Sequence, residues 1–357
     1  MRILYGVQAT GNGHISRARA MANAFRALNV EVTWLFSGRP REQLFDMAPF
    51  GDYLHRRGLT FVTEDGRIRY RRTLRNTNLL QFRRDVRSLP MDEFNLVVTD
   101  FEPVSARAGR NAGVATIGIG NQYAFGSATP TPSGHWLARK LMHYFAPVER
   151  GIGLHWHPYA DTVLPPILHL PALDTQPQGH ILVYLPFENA RHINSLLQQF
   201  PQHQFELFGP GIEATRAGNV RQHPAQVEAF KRALASCSGV ICNSGFELIS
   251  ECLQWRKPVL TRPLRGQLEQ LANALSLSEL GYATVAPELT RESLGAWLTQ
   301  PPLPPALHFP NVAGVLAQWL ANGARDEPVL LHQKLWGRTR RPIETPPIRL
   351  GNQVAIG

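Results

Sequence analysis

Three cysteines in 357 residues, Cys237, Cys242 and Cys252, are too few and too irregularly spaced to build a disulfide framework or a thiolate zinc site. Two of them fall at apolar positions of a strand and a helix, so all three are expected as reduced core residues. No apolar run approaches the ~20 residues of a membrane-spanning helix. The first residues also lack the long apolar core and cleavage site of a signal peptide, so the cytoplasm is the expected compartment. Acidic residues are in deficit, 27 Asp and Glu against 37 Lys and Arg, for a formal net charge of +10. That balance favours anionic partners: a phospholipid surface, a lipid phosphate, an acidic glycan or nucleic acid. Zinc, helix-turn-helix and RNP-type patterns are missing, which removes the support for nucleic acid. A hydrophobic content of 43% with 18% charged residues excludes a disordered chain. The length suits two domains, each with its own core.

What is present is concentrated in one stretch, Gly239 to Glu251. Val240, Ile241 and Cys242 form an apolar run of strand length, and Asn243-Ser244-Gly245 is a polar turn. Leu248, Ile249, Cys252 and Leu253 then recur at helical spacing. The turn therefore opens a helix, where unpaired N–H groups and the positive dipole end suit a diphosphate, and Gly245 lets it approach the main chain. Glu251, two turns further, is within reach of a ribose on that phosphate. An ordinary strand-to-helix turn with a solvated glutamate is the competing account.

Residues 239 to 283 resemble the donor-binding half of GT-B glycosyltransferases of the MurG-like and UDP-glycosyltransferase-like families, with the C-terminal type of glycosyltransferase family 28. The resemblance implies an α/β fold of two Rossmann-like, doubly wound parallel-sheet domains facing a cleft. It implies a nucleotide sugar, with UDP the expected nucleotide, bound as substrate with no cofactor. Asn243, Ser244 and Gly245 would meet the diphosphate and Glu251 would hold the ribose. Gln267, Glu269 and Gln270 would stand in the loop that touches the donor sugar. No DXD-type metal motif stands in a suitable place, so no metal is expected. In the first half, Arg2 to Gln8 reads as a strand and Gly11-Asn12-Gly13-His14 as the turn into a helix whose apolar face is Ile15, Ala18, Ala22, Phe25 and Leu28. The spacing lacks the third glycine of a dinucleotide fingerprint.

His14 falls beyond the carboxyl ends of the strands, where open α/β sheets bind ligands and an imidazole can take a proton from a hydroxyl. A capping or solvent-facing histidine is the plainer alternative. Asp100 ends the strand Phe94 to Asp100. The resemblance implies His14 as catalytic base with Asp100 orienting it, whereas by itself Asp100 also reads as a helix cap. The His-Glu-Gln-Asn signature of MurG-like enzymes is reduced here to Gln122. With Gly11, Asn12 and Gly13, Gln122 forms the expected acceptor and phosphate loop. A second departure is Pro186 to Ala190, where relatives carry a glycine-rich turn; proline brings no N–H, so more of the phosphate load would fall on Ser244 and Gly245.

Further expectations are a short third strand over Leu59 to Val62 and a helix from His135 to about Val148. An arginine cluster, Arg67, Arg69, Arg71, Arg72, Arg75, Arg83, Arg84 and Arg87, is interleaved with Leu79, Leu80 and Phe82 and suits an anionic membrane or lipid head group. The proposed division is an acceptor domain over 1–164, a Pro-rich linker over 165–178, a donor domain over 179–325 and a basic tail over 326–357. The resemblance implies a tail that crosses back onto the first domain, and a disordered basic tail is the alternative. The expected activity is transfer of a sugar to an acceptor hydroxyl, on a lipid or envelope glycan. A nucleotide-sugar hydrolase or 2-epimerase on the same fold, and a non-enzymatic basic adaptor, are the alternatives.

Overall fold

The computed structural model describes residues 1–60, 63–64, 66–68, 72–73, 75, 77–126, 128–134, 140, 142 and 144–341. Both halves of the chain alternate apolar strand-length runs with amphipathic helices, and such a pattern is buried as parallel strands with helices on both faces. The first sheet runs in the order β3 (Leu54–His55), β2 (Val32–Ser37), β1 (Ile3–Gln8), β6 (Leu96–Asp100), β7 (Thr116–Gly120), β8 (Arg150–Leu154) and β9 (Val163–Leu164), all parallel. The second runs β12 (Thr215–Ala217), β13 (Val220–Pro224), β11 (Gln204–Gly209), β10 (His180–Tyr184), β14 (Gly239–Asn243), β15 (Val259–Arg262) and β16 (Thr284–Val285), and only its edge strand β12 is antiparallel. A hairpin of β4 (Thr63–Glu64) and β5 (Arg67–Ile68) stands apart from both.

Among the described residues the outer neighbour of β2 is Leu54–His55, and Leu59 and Thr60 of the expected third strand are in none. The Leu59 carbonyl accepts from Gln8 Nε2 at 2.9 Å. Phe61 and Val62 lie outside the described residues, as do Arg69 and Arg71 of the arginine cluster and half of the His135 to Val148 segment.

The helices are α1 (Asn12–Ala27), α2 (Leu79–Arg87), α3 (Pro103–Ala112), α4 (Ala190–Leu197), α5 (Val227–Ser236), α6 (Phe246–Gln254), α7 (Leu268–Leu280), α8 (Arg291–Thr299), α9 (Val312–Ala321) and α10 (Pro328–Trp336). Their ends follow from local chemistry. The buried Glu102 side chain caps α3 by accepting from the N–H groups of Val104 and Ser105, with Pro103 in the first turn, where its missing N–H costs nothing. Gly113 (φ +66°) and Gly281 (φ +64°) end α3 and α7 in the left-handed conformation that relieves the last carbonyls.

One apolar core runs through both halves. It joins Tyr5, Phe25 and Trp34 of the first to Phe246, Ile249 and Leu253 of the second. Between them the fully buried Trp156 donates its indole N–H to Ser250 Oγ at 2.8 Å. The last two helices take part in the first half's packing. α9 lies along α1, and α10 lies against β9, where His332 Nδ1 and Trp336 Nε1 each sit 2.8 Å from the Val163 carbonyl. The stretch 165–178 has no regular secondary structure and is fastened at Thr175, whose carbonyl accepts from Lys257 Nζ at 2.7 Å. Residues 342–357 lie outside the described residues.

Candidate active site

β1 and β6 are neighbours, with Val7 opposite Asp100, so the turn after β1 and the end of β6 emerge together at the carboxyl edge of the first sheet. α1 starts at once after Gly11, which sets His14 in its first turn and Arg17 three residues on, on the same face. Both reach Asp100. His14 Nδ1 lies 2.7 Å from Asp100 Oδ1. The Arg17 guanidinium grips the carboxylate as a fork, NH2 to Oδ1 at 2.6 Å and Nε to Oδ2 at 2.8 Å.

Asp100 is fully buried, which alone would push its carboxyl up; Arg17 and His14 outweigh this and hold it below the usual carboxylate range. An ionised carboxylate only accepts, so Nδ1 of His14 carries the hydrogen. In the neutral ring the free lone pair is then on Nε2. Arg17 NH2 also lies 3.1 Å from that Nδ1, but both are donors, so this is a contact between like groups.

The cleft between the two sheets holds a cavity of about 550 Å³. Its first-domain wall carries Gln8, Thr10, Gly11, Asn12, Gly13, His14, Arg17, Phe101, Gln122 and Phe145, and its second-domain wall carries Asn243, Gly245, Glu247, Gln267, Glu269 and Gln270. Gly245 caps α6, and a Cβ built there meets nothing within 4 Å, so the main chain is open to the cavity. Asn243 Nδ2 is held by Glu188 Oε1 and the Arg262 carbonyl, both at 3.2 Å, and its Oδ1 is buried with no partner among the described residues.

Two of the sequence-derived donor residues do not face this space. Ser244 is fully buried, its hydroxyl paired with Thr261 Oγ1 at 2.9 Å and its carbonyl accepting from Asn273; the Gly245 N–H donates to the Asn243 carbonyl at 2.7 Å, which leaves the first turn of α6 as the anion-facing helix start. Glu251 opens into an adjoining cavity of about 100 Å³, shared with Ser16, Arg19, Tyr184, Phe230 and Lys231. There it forms an ion pair with Lys231 and accepts from Ser16 Oγ at 3.3 Å. Asn12, Gly13, Glu247 and Leu248 line both spaces, so the two are contiguous. Gln270 helps to line the large cavity, yet its Oε1 is used by the Leu264 N–H at 3.0 Å and shapes the loop.

Several groups bridge the walls. Gln122 Nε2 donates to Glu269 Oε2 at 2.8 Å, and Asn12 Nδ2 to the Tyr184 hydroxyl at 2.9 Å. Gly13 allows α1 to approach α6, because a Cβ there would sit 2.9 Å from Glu247 Cγ. At the tip of the β4–β5 hairpin, Gly66 donates to the Phe187 carbonyl at 2.8 Å and accepts from the Arg265 N–H at 2.9 Å. Arg17 also pairs with Glu247 across the cleft. Sequence reasoning missed Arg17, Glu247 and Tyr184. The available signal for Arg17 was its place one turn after His14.

Among the described residues no group of three or more His, Cys, Asp and Glu side chains could hold a metal ion. The arrangement can orient a base, seat an anion at a helix end and enclose a substrate between two lobes. Two doubly wound sheets facing a cleft of this kind define the GT-B class. The chain matches the family model of glycosyl transferase family 1 over residues 1–302 and belongs to that family. No curated protein sequence matches it. Solved structures share the fold at low identity. The glycosyltransferase of kitacinnamycin is 16% identical with a TM-score of 0.56, covering 93% of this chain and 95% of that one. The spinosyn rhamnosyltransferase SpnG, complexed with thymidine diphosphate, is 14% identical with a TM-score of 0.54, covering 94% and 99%. MurG of Acinetobacter baumannii is 15% identical with a TM-score of 0.51, covering 94% and 99%.

The lowered carboxyl of Asp100 ties stability to pH. A carboxylate depressed in the folded state stabilises the fold above its unfolded pKa of about 3.9, and that contribution is lost as pH falls through the folded value. Asp100→Asn, which leaves Arg17 buried without its fork partner, is expected to cost about 3 kcal/mol at pH 7. In denaturant titrations the gap to the unsubstituted protein should narrow below about pH 4; a gap that stays constant from pH 7 to pH 3 contradicts the assignment.

Proposed function

We propose that the protein transfers a sugar from a nucleoside diphosphate donor, UDP- or TDP-linked, to an acceptor hydroxyl, and does so without a metal ion. The observation that carries this reading is the His14–Asp100 pair facing the open N-terminus of α6 across one cavity. The diphosphate rests on the N–H groups of the first turn of α6, and Asn243 borders it. The sugar extends toward Gln267 and Glu269. The nucleoside enters the adjoining space, where Glu251 accepts from the ribose and gives up part of its pairing with Lys231. The SpnG structure with thymidine diphosphate supports a nucleoside diphosphate as the ligand class.

The acceptor lies on the first-domain wall, bordered by Gln8, Phe101, Gln122 and Phe145. His14 Nε2 takes the hydroxyl proton as the acceptor oxygen bonds to the anomeric carbon and the bond from that carbon to the diphosphate oxygen breaks. Asp100 stabilises the imidazolium that forms, and the helix end meets the charge of the departing diphosphate. Holding both substrates between the lobes supplies the remaining advantage.

The test begins with thermal shift against UDP, TDP and other nucleoside diphosphates, since a ligand of the folded state raises the melting temperature. With the donor so identified, His14→Ala should lower turnover by roughly 10²–10⁴ while donor affinity stays unchanged, and EDTA should leave the rate alone. A fully active His14→Ala variant removes the base, and loss of turnover in EDTA removes metal independence.

We also propose an anionic membrane surface as the partner of α2. Leu79 and Leu80 are 61% and 68% exposed at its start, and Arg83, Arg84 and Arg87 are exposed behind them, with Arg72 and Arg75 exposed nearby. Apolar anchors beside exposed arginines suit acidic head groups. Co-sedimentation with phosphatidylglycerol vesicles, weak with phosphatidylcholine and lost in Leu79→Ser/Leu80→Ser, is the expected result; equal recovery with both lipids contradicts it.

A further inference from the structure

The pair that the proposed reaction uses is not alone in its pocket. Arg17 is 2% exposed and carries three engagements at once: its fork on Asp100, the approach of NH2 to His14 Nδ1 and the ion pair with Glu247 of the second domain. Asp100 is therefore shared between an imidazole and a guanidinium, and the guanidinium is itself shared between two carboxylates on opposite sides of the cleft.

We infer that Arg17 is a positioning residue that sets how readily the His14–Asp100 pair takes up a proton, and that its bond to Glu247 links that setting to the apposition of the two domains. The inference rests on His14 acting as the base. The physical argument is one of sign. Asp100 alone, 2.7 Å from Nδ1, favours imidazolium, and an imidazolium cannot accept a proton. Arg17 places a permanent cation 3.1 Å from the same nitrogen and neutralises the carboxylate, so the ring keeps its free lone pair. Glu247 opposes this by drawing on the guanidinium from the other domain. Removing Arg17 and removing Glu247 must therefore act in opposite directions on the same titration, which a purely structural role for either would not produce.

The other groups that face this cluster are fixed in sense. Tyr5, on β1, is pushed up by burial and by Asp100, and stays neutral. Tyr123, in the short helix Asn121–Ala124, is likewise raised by burial and by Asp100. Glu269, on α7, adds negative charge toward Arg17 and is tied to Gln122. Glu102, beyond β6, is engaged by Ser37 and the start of α3. None of these supplies a second cation to take the place of Arg17.

The experiment pairs a pH–rate profile with NMR titration of the His14 ring, assigned by its absence in His14→Gln. In Arg17→Gln the acid limb of kcat and the midpoint of the ring resonance should both move up by about one pH unit. Glu247→Gln should move both down, by roughly half a unit, since the guanidinium is left fully to the pair. Arg17→Lys, which keeps the charge but not the fork, should restore most of the Arg17→Gln shift. Glu247→Gln keeps every contact of Asp100 and carries the test should Arg17→Gln not fold. A ring midpoint unmoved in Arg17→Gln, or moved the same way in both variants, overturns the inference. A ring midpoint that shifts as expected beside an unmoved acid limb leaves the charge coupling standing and removes His14 as base.

Discussion

A guanidinium without access to water must have its charge answered by protein, and in this molecule the answer comes from both halves of the chain. Arg17 holds Asp100 in its own domain and Glu247 in the other. The arrangement is costly to bury and costly to break, since removing one partner leaves an uncompensated charge in a low-dielectric interior. It fixes the height of α1 against α6, which Gly13 then permits by leaving no side chain between them. Around that point the cavity acquires its two walls.

Much of the architecture was legible because parallel sheets buried on both faces write themselves as continuous apolar runs. The Val240, Ile241 and Cys242 run and the helix after the first glycine turn occupy the places their periodicity implies, and the expected Phe94 to Asp100 strand is present as Leu96–Asp100. Leu59, expected to open a strand, lies in a loop for a local reason. Leu59 is apolar because it packs beneath α2 and beside Phe101, while its backbone serves the Gln8 side chain; burial there comes from loop packing, not from a strand. α10 takes the crossing back onto the first domain that the sequence had left open, whereas the placement of α9 was out of reach. The apolar face of α9 is plain in sequence, but nothing local says that the surface it covers belongs to α1.

The site divides in the same way. Gly245 at the start of α6 and Asp100 at the end of β6 sit where their spacing puts them. Ser244 also lies in the expected turn, but its hydroxyl points back toward the neighbouring strand, because Thr261 on β15 offers a partner that spacing cannot reveal. Gln122 and Glu269, assigned separately to acceptor and donor sides, bond to each other across the cleft. Arg17 and Glu247 were invisible for a general reason: each reads as a solvated charge on an amphipathic helix, and only the meeting of the two helices makes them a pair.

The packing of α9 along α1 bears on how the chain reaches this state as it leaves the ribosome. The first sheet and its helices are made early, yet the apolar flank of α1 stays uncovered until residues beyond 300 have emerged. Until then the nascent first lobe carries a greasy face with no lid of its own. It is thereby exposed to premature self-association, and it must either wait in a loosely packed form or be shielded by a chaperone.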